Sequence, residues 1–247
     1  MFLLATAFVL SSLGLFTNAA PTNAALGIAA IEAHFQNSKI VPDLLPSFTP
    51  SAIMTVTFPG VGAISPGQNL SMNQVATAPG VTIVPANSSV PTTGNFTLIM
   101  VDARAVGTNE SNGEVLHWIA NYATLEDESS SCPSLNVSTT NSVVVTGYIS
   151  PQPPAGSGPH RYAILLLPQP PSFSPPANLT NPFVGIDLFF NLTDYISSSN
   201  LGQPIAGMYF DVQLGQTNIT VPPTSAVVTS TLLQTVFPSP TVSGSAG

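Results

Sequence analysis

The sequence predicts a single, mostly-β domain with a few short helices, either a β-sandwich or a β-rich α+β fold. Two observations carry this expectation. Short apolar runs rich in β-branched residues recur along the chain, parted by Gly- and Pro-rich turns. Helical spacing of apolar residues, by contrast, shows in only two places. With 247 residues and no internal repeat, the chain can close one sizeable core.

The elements follow in order. Leu26 to Asn37 reads as a short helix, stopped by Pro42. "SAIMTVTF" (Ser51–Phe58) is a strand, and "GVGAISPGQNLS" after it reads as a loop. "GVTIVP" and "NFTLIMVDA" are strands, the second so apolar that both its faces should be buried. "EVLHWIANYA" and "NSVVVTGYIS" read as strands. Between them "LEDESSSCPS", with Glu126, Asp127 and Glu128, reads as an acidic, solvated loop. "PQPPAGSGP" cannot be regular structure, because proline lacks a donor and glycine favours turns. "HRYAILLLPQ" is a central strand. In "IDLFFNLTDYISSSN", Leu188, Leu192 and Tyr195 stand at helical spacing, with Asn200 near a stop. "PIAGMYFDVQL" closes the core.

Charge narrows the function. Only 6% of residues are charged, against roughly 25% in an average domain, and the net charge is −8. There is no Lys/Arg cluster, so neither nucleic acid nor an acidic membrane surface is an expected partner. Residues 1–20 are apolar to Phe16 and then small, which reads as a signal peptide cleaved after Ala19 or Ala20. The run falls short of the ~18 apolar residues of a membrane span. Secretion, no membrane span in the mature chain and N-glycosylation are therefore expected. Sequons open at Asn69, Asn87, Asn95, Asn109, Asn136, Asn178, Asn191 and Asn218. Cys132 is the one cysteine, so no intrachain disulfide can form. Residues 21–38 form an N-terminal segment carrying the short helix, 39–215 the domain, and 216–247 a disordered tail rich in Ser, Thr and Pro.

The ionisable residues off the obvious loops fall in three segments: "VDARAV" (Asp102, Arg104), "EVLHWIA" (His117) and "GPHRYA" (His160, Arg161). Each ends a strand. Two imidazoles can donate N–H bonds to an anion, and a nearby carboxylate favours their charged form. Backbone N–H groups of a Gly/Pro loop can add donors. Two His and one Asp could hold a metal, but no short-range ligand spacing supports one, and no cofactor is expected.

These segments resemble the signatures of the phosphatidylethanolamine-binding protein family. "GSGPHRYAILLLPQ" is similar to its G-x-H-R-Y…Q, "LIMVDARA" to its D-P-D-A-P, and "EVLHWIA" to its H-W segment. "KIVPDLLPSFTPSAIMTVTF" resembles the family's opening and "LGQPIAGMYFDV" its closing segment, so the matches run in order from Lys39 to Val212. The resemblance implies a β-sandwich with a small cleft for phosphate-type anions such as phospholipid headgroups. Its walls would be Asp102, His117 and His160, with Ser150 and Pro153 on the adjoining loop and Tyr162 and Trp118 in support. It implies a secreted, fungal-type, non-enzymatic binding protein. The alternative it carries is an inhibitor of a serine carboxypeptidase or other serine protease, or another interaction module acting through surfaces outside the cleft. In the inhibitor reading the apolar N-terminal segment up to Phe35 inserts into the partner.

The chain departs from the family where D-P-D-A-P stands as Asp102-Ala103-Arg104-Ala105-Val106. Arg104 either grips the anion or pairs with Asp102. Arg161 should point away from the cleft and pair with an acid such as Asp102 or Asp211, since adjacent strand residues face opposite ways. A Ser-His-Asp hydrolase is not expected: no G-x-S-x-G elbow supplies a nucleophile.

Overall fold

The computed structural model describes residues 23–108, 113–129, 132–179 and 187–217. The expected signal peptide and nearly all of the expected tail lie outside these residues, as do Asn109 and Asn218. Among the described residues, eleven strands form two sheets that share one long strand, packed with three short helices.

The first sheet runs β2 (Gly62–Ala63), β1 (Ala52–Phe58), β4 (Gly80–Pro85), β7 (Cys132–Ser138), β6 (Glu114–Ser129). The second takes the first half of β6 and continues through β5 (Phe96–Asp102), β9 (His160–Pro168), β11 (Ala206–Val212) and β3 (Gln68–Leu70). Both β8 (Val143–Thr146) and β10 (Asp187–Phe190) pair with the free side of β6. The expectation of a mostly-β domain with a few short helices is met.

Two apolar layers result. Between the sheets, Met54, Val56, Phe58 and Ile83 meet Leu98, Met100, Ile164, Leu166 and Phe210. On the outer face of the second sheet, Ile99, Val101, Ala163 and Leu165 are covered by α1 (Asn23–Asn37) and α3 (Leu192–Ser198). This is why "NFTLIMVDA" is apolar at every step: all seven residues of β5 are buried. α1 delivers Phe35 onto Phe48, rings stacked at 4.1 Å. Both rings rest on Gly207, where an added Cβ would lie 3.1 Å from each and would push them back. The short turn α2 (Ile40–Asp43) follows.

Several expectations are corrected. The described residues of "LEDESSSCPS" are strand and not loop: β6 runs on to Ser129 and pairs with β7, with Glu126 opposite Asn136 and Asp127 opposite Leu135. Their side chains are exposed, so the acidic character is solvated, but the backbone is paired. The loop after β1 holds β2 and β3. Residues 187–190 are extended, and the helix begins only at Leu192, where the Asn191 side chain accepts from the Asp194 N–H. The spacing of Leu188, Leu192 and Tyr195 therefore spans two elements. The first helix starts at Asn23, three residues before the expected Leu26.

Candidate functional site

At one end of the second sheet, β5 finishes at Asp102 beside Tyr162 of β9. Strand alternation sends Asp102, His160 and Tyr162 to the side facing the inter-sheet layer and Arg161 to the helix side. His117 reaches the same place by a different device. Met100 pairs with Trp118 but Val101 with Leu116, so residue 117 is an extra residue in β6, a β-bulge. The bulge turns His117 toward the strand ends and puts Trp118 into the inter-sheet core against Tyr148. Trp118 is thus a core residue and not a ligand platform.

These side chains wall a cavity of about 710 Å³. All seven residues expected at the cleft line it: Asp102, Arg104, His117, Ser150, Pro153, His160 and Tyr162. So do residues the sequence reading did not assign, among them Val115, Gln152, Leu188 and Phe189.

The polar geometry is specific. His160 Nδ1–H donates to Asp102 Oδ2 at 2.7 Å, and Asp102 Oδ1 accepts from the Arg104 main-chain N–H at 2.6 Å. Both carboxylate oxygens are engaged. His117 Nδ1 lies 2.8 Å from the Ile149 carbonyl, which can only accept, so Nδ1 carries the hydrogen and Nε2 is the free nitrogen. Burial, with 2% of His117 exposed, lowers the imidazole's pKa; the Ile149 carbonyl and the Asp102 charge oppose this. Tyr162 stands between the two imidazoles, edge-on to His117 at 5.1 Å and near-parallel to His160 at 6.4 Å. Burial and the adjoining Asp102 charge raise its hydroxyl's pKa, so it stays a neutral phenol.

Arg104 lies in the left-handed backbone region, φ 52°, which brings its N–H back onto Asp102. The main chain of Arg104 makes this bond. Its guanidinium donates instead to the carbonyls of Gly113 and Leu188, tying β10 to the cleft. Gly113 allows the close approach: a Cβ there would meet Phe190 O at 2.5 Å. Arg161 points away from the cleft as expected, but its ion pair is with Asp43 at 2.9 Å, not Asp102 or Asp211. It also donates to the carbonyls of Ser38, Ala103 and Arg104.

Ser157, which sequence reasoning left without a role, lies with Oγ 2.8 Å from His160 Nε2. By distance this makes a Ser157–His160–Asp102 chain. The Ser157 hydroxyl also donates to Pro154 O at 2.7 Å, and it has one hydrogen for both. Ser157 is not among the cavity-lining residues. Its three-residue spacing to His160 in "SGPH" was the available signal. Among the described residues no group of three or more His, Cys, Asp or Glu side chains could hold a metal ion. Among them, too, no helix is long and apolar enough to cross a membrane.

Residues 48–210 match the family model described as phosphatidylethanolamine-binding protein. The 26 kDa secreted antigen of Toxocara canis is 30% identical over 184 residues, covering 72% of this chain and 63% of the antigen, so the chain spans less than two thirds of that relative. The carboxypeptidase Y inhibitor of Saccharomyces cerevisiae is 30% identical over 145 residues, covering 50% of this chain and 65% of the inhibitor. The crystal structure of a carboxypeptidase Y inhibitor complexed with its cognate proteinase superposes with a TM-score of 0.60 at 24% identity, covering 75% of this chain and 95% of the inhibitor. That likeness speaks to the fold.

Proposed function

The chain belongs to the phosphatidylethanolamine-binding protein family, and from that premise we propose that it is a non-enzymatic binding protein whose cleft holds a small anionic group, a phosphate or a phospholipid headgroup. The observation that carries this reading is the meeting of His117, His160 and Arg104 in one cavity where, among the described residues, the one lining carboxylate, Asp102, is already bonded through both oxygens. A cavity with apolar walls and a few convergent polar groups is the usual form of a ligand site. In such a place His117 takes up a proton and then donates from Nε2 to the anion. Calorimetry with inorganic phosphate tests it. His117→Ala or His160→Ala should abolish the heat of binding while the circular dichroism spectrum is kept; unchanged affinity in both rejects the reading.

The same reading makes it a secreted glycoprotein. A secreted relative and the leader support this. So does sequon position: Asn69, Asn87, Asn95, Asn178 and Asn191 are exposed, and Asn136 is half-buried. Glycosidase treatment of protein from the culture medium of a eukaryotic host should sharpen and lower its band on a gel. An unaltered band rejects glycosylation.

Similarity to the carboxypeptidase Y inhibitor favours a second reading, inhibition of a serine protease. Here the structure constrains the mode. Phe35 is fully buried, so α1 cannot insert into a partner as far as Phe35 without opening the core. Residues 24–30 are half-buried and remain available. Inhibition of carboxypeptidase Y that survives removal of residues 1–22 but is lost on replacing the 24–30 side chains would support it. No inhibition by the full chain sinks it.

A further inference from the structure

We propose that Arg161 is a two-partner latch: the half of its guanidinium that holds the α1–α2 corner passes from Asp43 to Asp211 when that corner lifts, while the other half keeps its grip on the cleft wall. The inference rests on neither reading above and gives α1 a route out of its seat. The guanidinium divides between two parts of the molecule. Nη1 donates to the Ser38 carbonyl and to Asp43 Oδ2, both at 2.9 Å and both in the α1–α2 corner. Nη2 donates to the Ala103 carbonyl at 2.6 Å and Nε to the Arg104 carbonyl at 3.0 Å, both in the cleft wall. Arg161 is 3% exposed, so lifting the corner strips two acceptors from a buried cation. That opposes release strongly unless another acid takes their place.

Asp211 is such an acid. It stands directly opposite Arg161 in the β9–β11 register, and pairs of this kind set their Cβ atoms about 5 Å apart on one face of the sheet. Its Oδ1 is buried without a hydrogen-bond partner, although the Arg161 charge draws on the same carboxyl. A buried oxygen left unpaired disfavours the seated state, and pairing it offsets the loss of Asp43 in the lifted one. Asp43 keeps 30% of its side chain in solvent, so it returns to water at little cost. What remains is the apolar cost. Ile31, Phe35, Ile40 and Leu44 are buried in the corner, and lifting them bares Tyr209, against which Phe35 packs edge-on at 5.7 Å. A partner that draws the corner off must therefore present an apolar groove to Ile31 and Phe35, one helical turn apart. The cleft wall keeps its anchor meanwhile, because Nε and Nη2 do not change partners.

A double-mutant cycle on the full chain tests the handover. Urea denaturation compares the parent, Asp211→Asn, Asp43→Ala and the pair at pH 8, where Asp211 is ionised. In the parent Asp211 lacks a bond to Arg161, and Asp211→Asn should raise the urea midpoint. In the Asp43→Ala background Asp211 is the acid left to Nη1, and the same change should lower the midpoint. Any result without that reversal of sign overturns the inference. Amide hydrogen exchange then reads the corner itself. Asp211→Asn should slow exchange in residues 31–45 about fivefold more than in β5, as expected for one partly exposed ion pair present only in the lifted state. Equal slowing in the two segments shows that Asp211 does not receive Arg161, and the latch fails.

Discussion

His160 and Arg161, adjacent in the chain, hold opposite sides of the same loop. His160 Nδ1 grips the Asp102 carboxylate at 2.7 Å from the cleft, and Arg161 grips the Ala103 carbonyl at 2.6 Å from the helix side. Loop 102–104 is therefore clamped between the cleft histidine and a structural arginine.

Arg161 is 3% exposed and satisfies three carbonyls and the Asp43 carboxylate. Arg161→Leu leaves those groups unpaired and should cost about 3–5 kcal/mol in urea denaturation. Asp43→Asn should cost only about 1 kcal/mol, because Asp43 is partly solvated and Arg161 keeps its carbonyls. Equal losses from the two variants would show that the ion pair, and not the carbonyl clamp, carries the energy.

Anion affinity should rise as pH falls. His117 Nδ1–H is spent on Ile149 O, so Nε2 can donate only after protonation, and burial holds the free imidazole's pKa below its ordinary value. A bound anion raises that pKa, so binding takes up a proton. Affinity should strengthen by up to about tenfold per pH unit from pH 8 toward 6. Sulfate is the probe, since its own charge is constant there. A flat profile in the wild-type chain, or the same slope in His117→Gln, refutes the assignment.

Asp211 lies opposite Arg161 in the β9–β11 register, and burial pushes its carboxyl up to about 7 against the pull of Arg161. Its folded pKa thus exceeds its unfolded value of about 4. Between these values the folded state binds more protons, so stability is full below about pH 4 and is lost as pH rises through about 7. Asp211→Asn should flatten that slope and stabilise the protein at pH 8 by on the order of 1–3 kcal/mol. Thermal melts across pH would show it, and identical melting curves for variant and parent would refute it.

Ser157 should not behave as a catalytic nucleophile, despite its 2.8 Å approach to His160. Its hydrogen is given to Pro154 O, and it stands off the cavity wall. A fluorophosphonate probe should label the chain no faster than Ser157→Ala. Stoichiometric labelling lost in that variant would establish a serine enzyme and overturn the non-enzymatic reading.

The parts of the fold legible in the sequence are those buried on both faces. β5 and β9 read directly, because layers on either side demand apolar residues at every position. The β6–β7 hairpin did not, since its outer half carries exposed Glu126 and Asp127 and its pairing depends on a distant partner, β4. β10 was read as helix because Leu188, Leu192 and Tyr195 happen to share helical spacing across the Asn191 cap. At the cleft, the resemblance pointed to Asp102, His117 and His160 through local signatures. The bulge that aims His117 and the rim of Leu188 and Phe189 are products of tertiary pairing, which no local pattern encodes.

Arg161 holds the 102–104 loop through main-chain groups: it donates to the Ala103 and Arg104 carbonyls, and its own carbonyl accepts the Ala103 N–H. Such an anchor is indifferent to which side chains the loop carries. Packing, and not the anchor, limits what can stand there: Ala103 and Ala105 are buried, and the Arg104 guanidinium ties β10 to the loop. The segment thus carries Ala103, Arg104 and Val106 where the resembled motif has other residues, and still keeps the Asp102–His160 bond. A change of identity is cheapest at the half-buried Val106, and at Ala103 and Ala105 it is confined to small side chains.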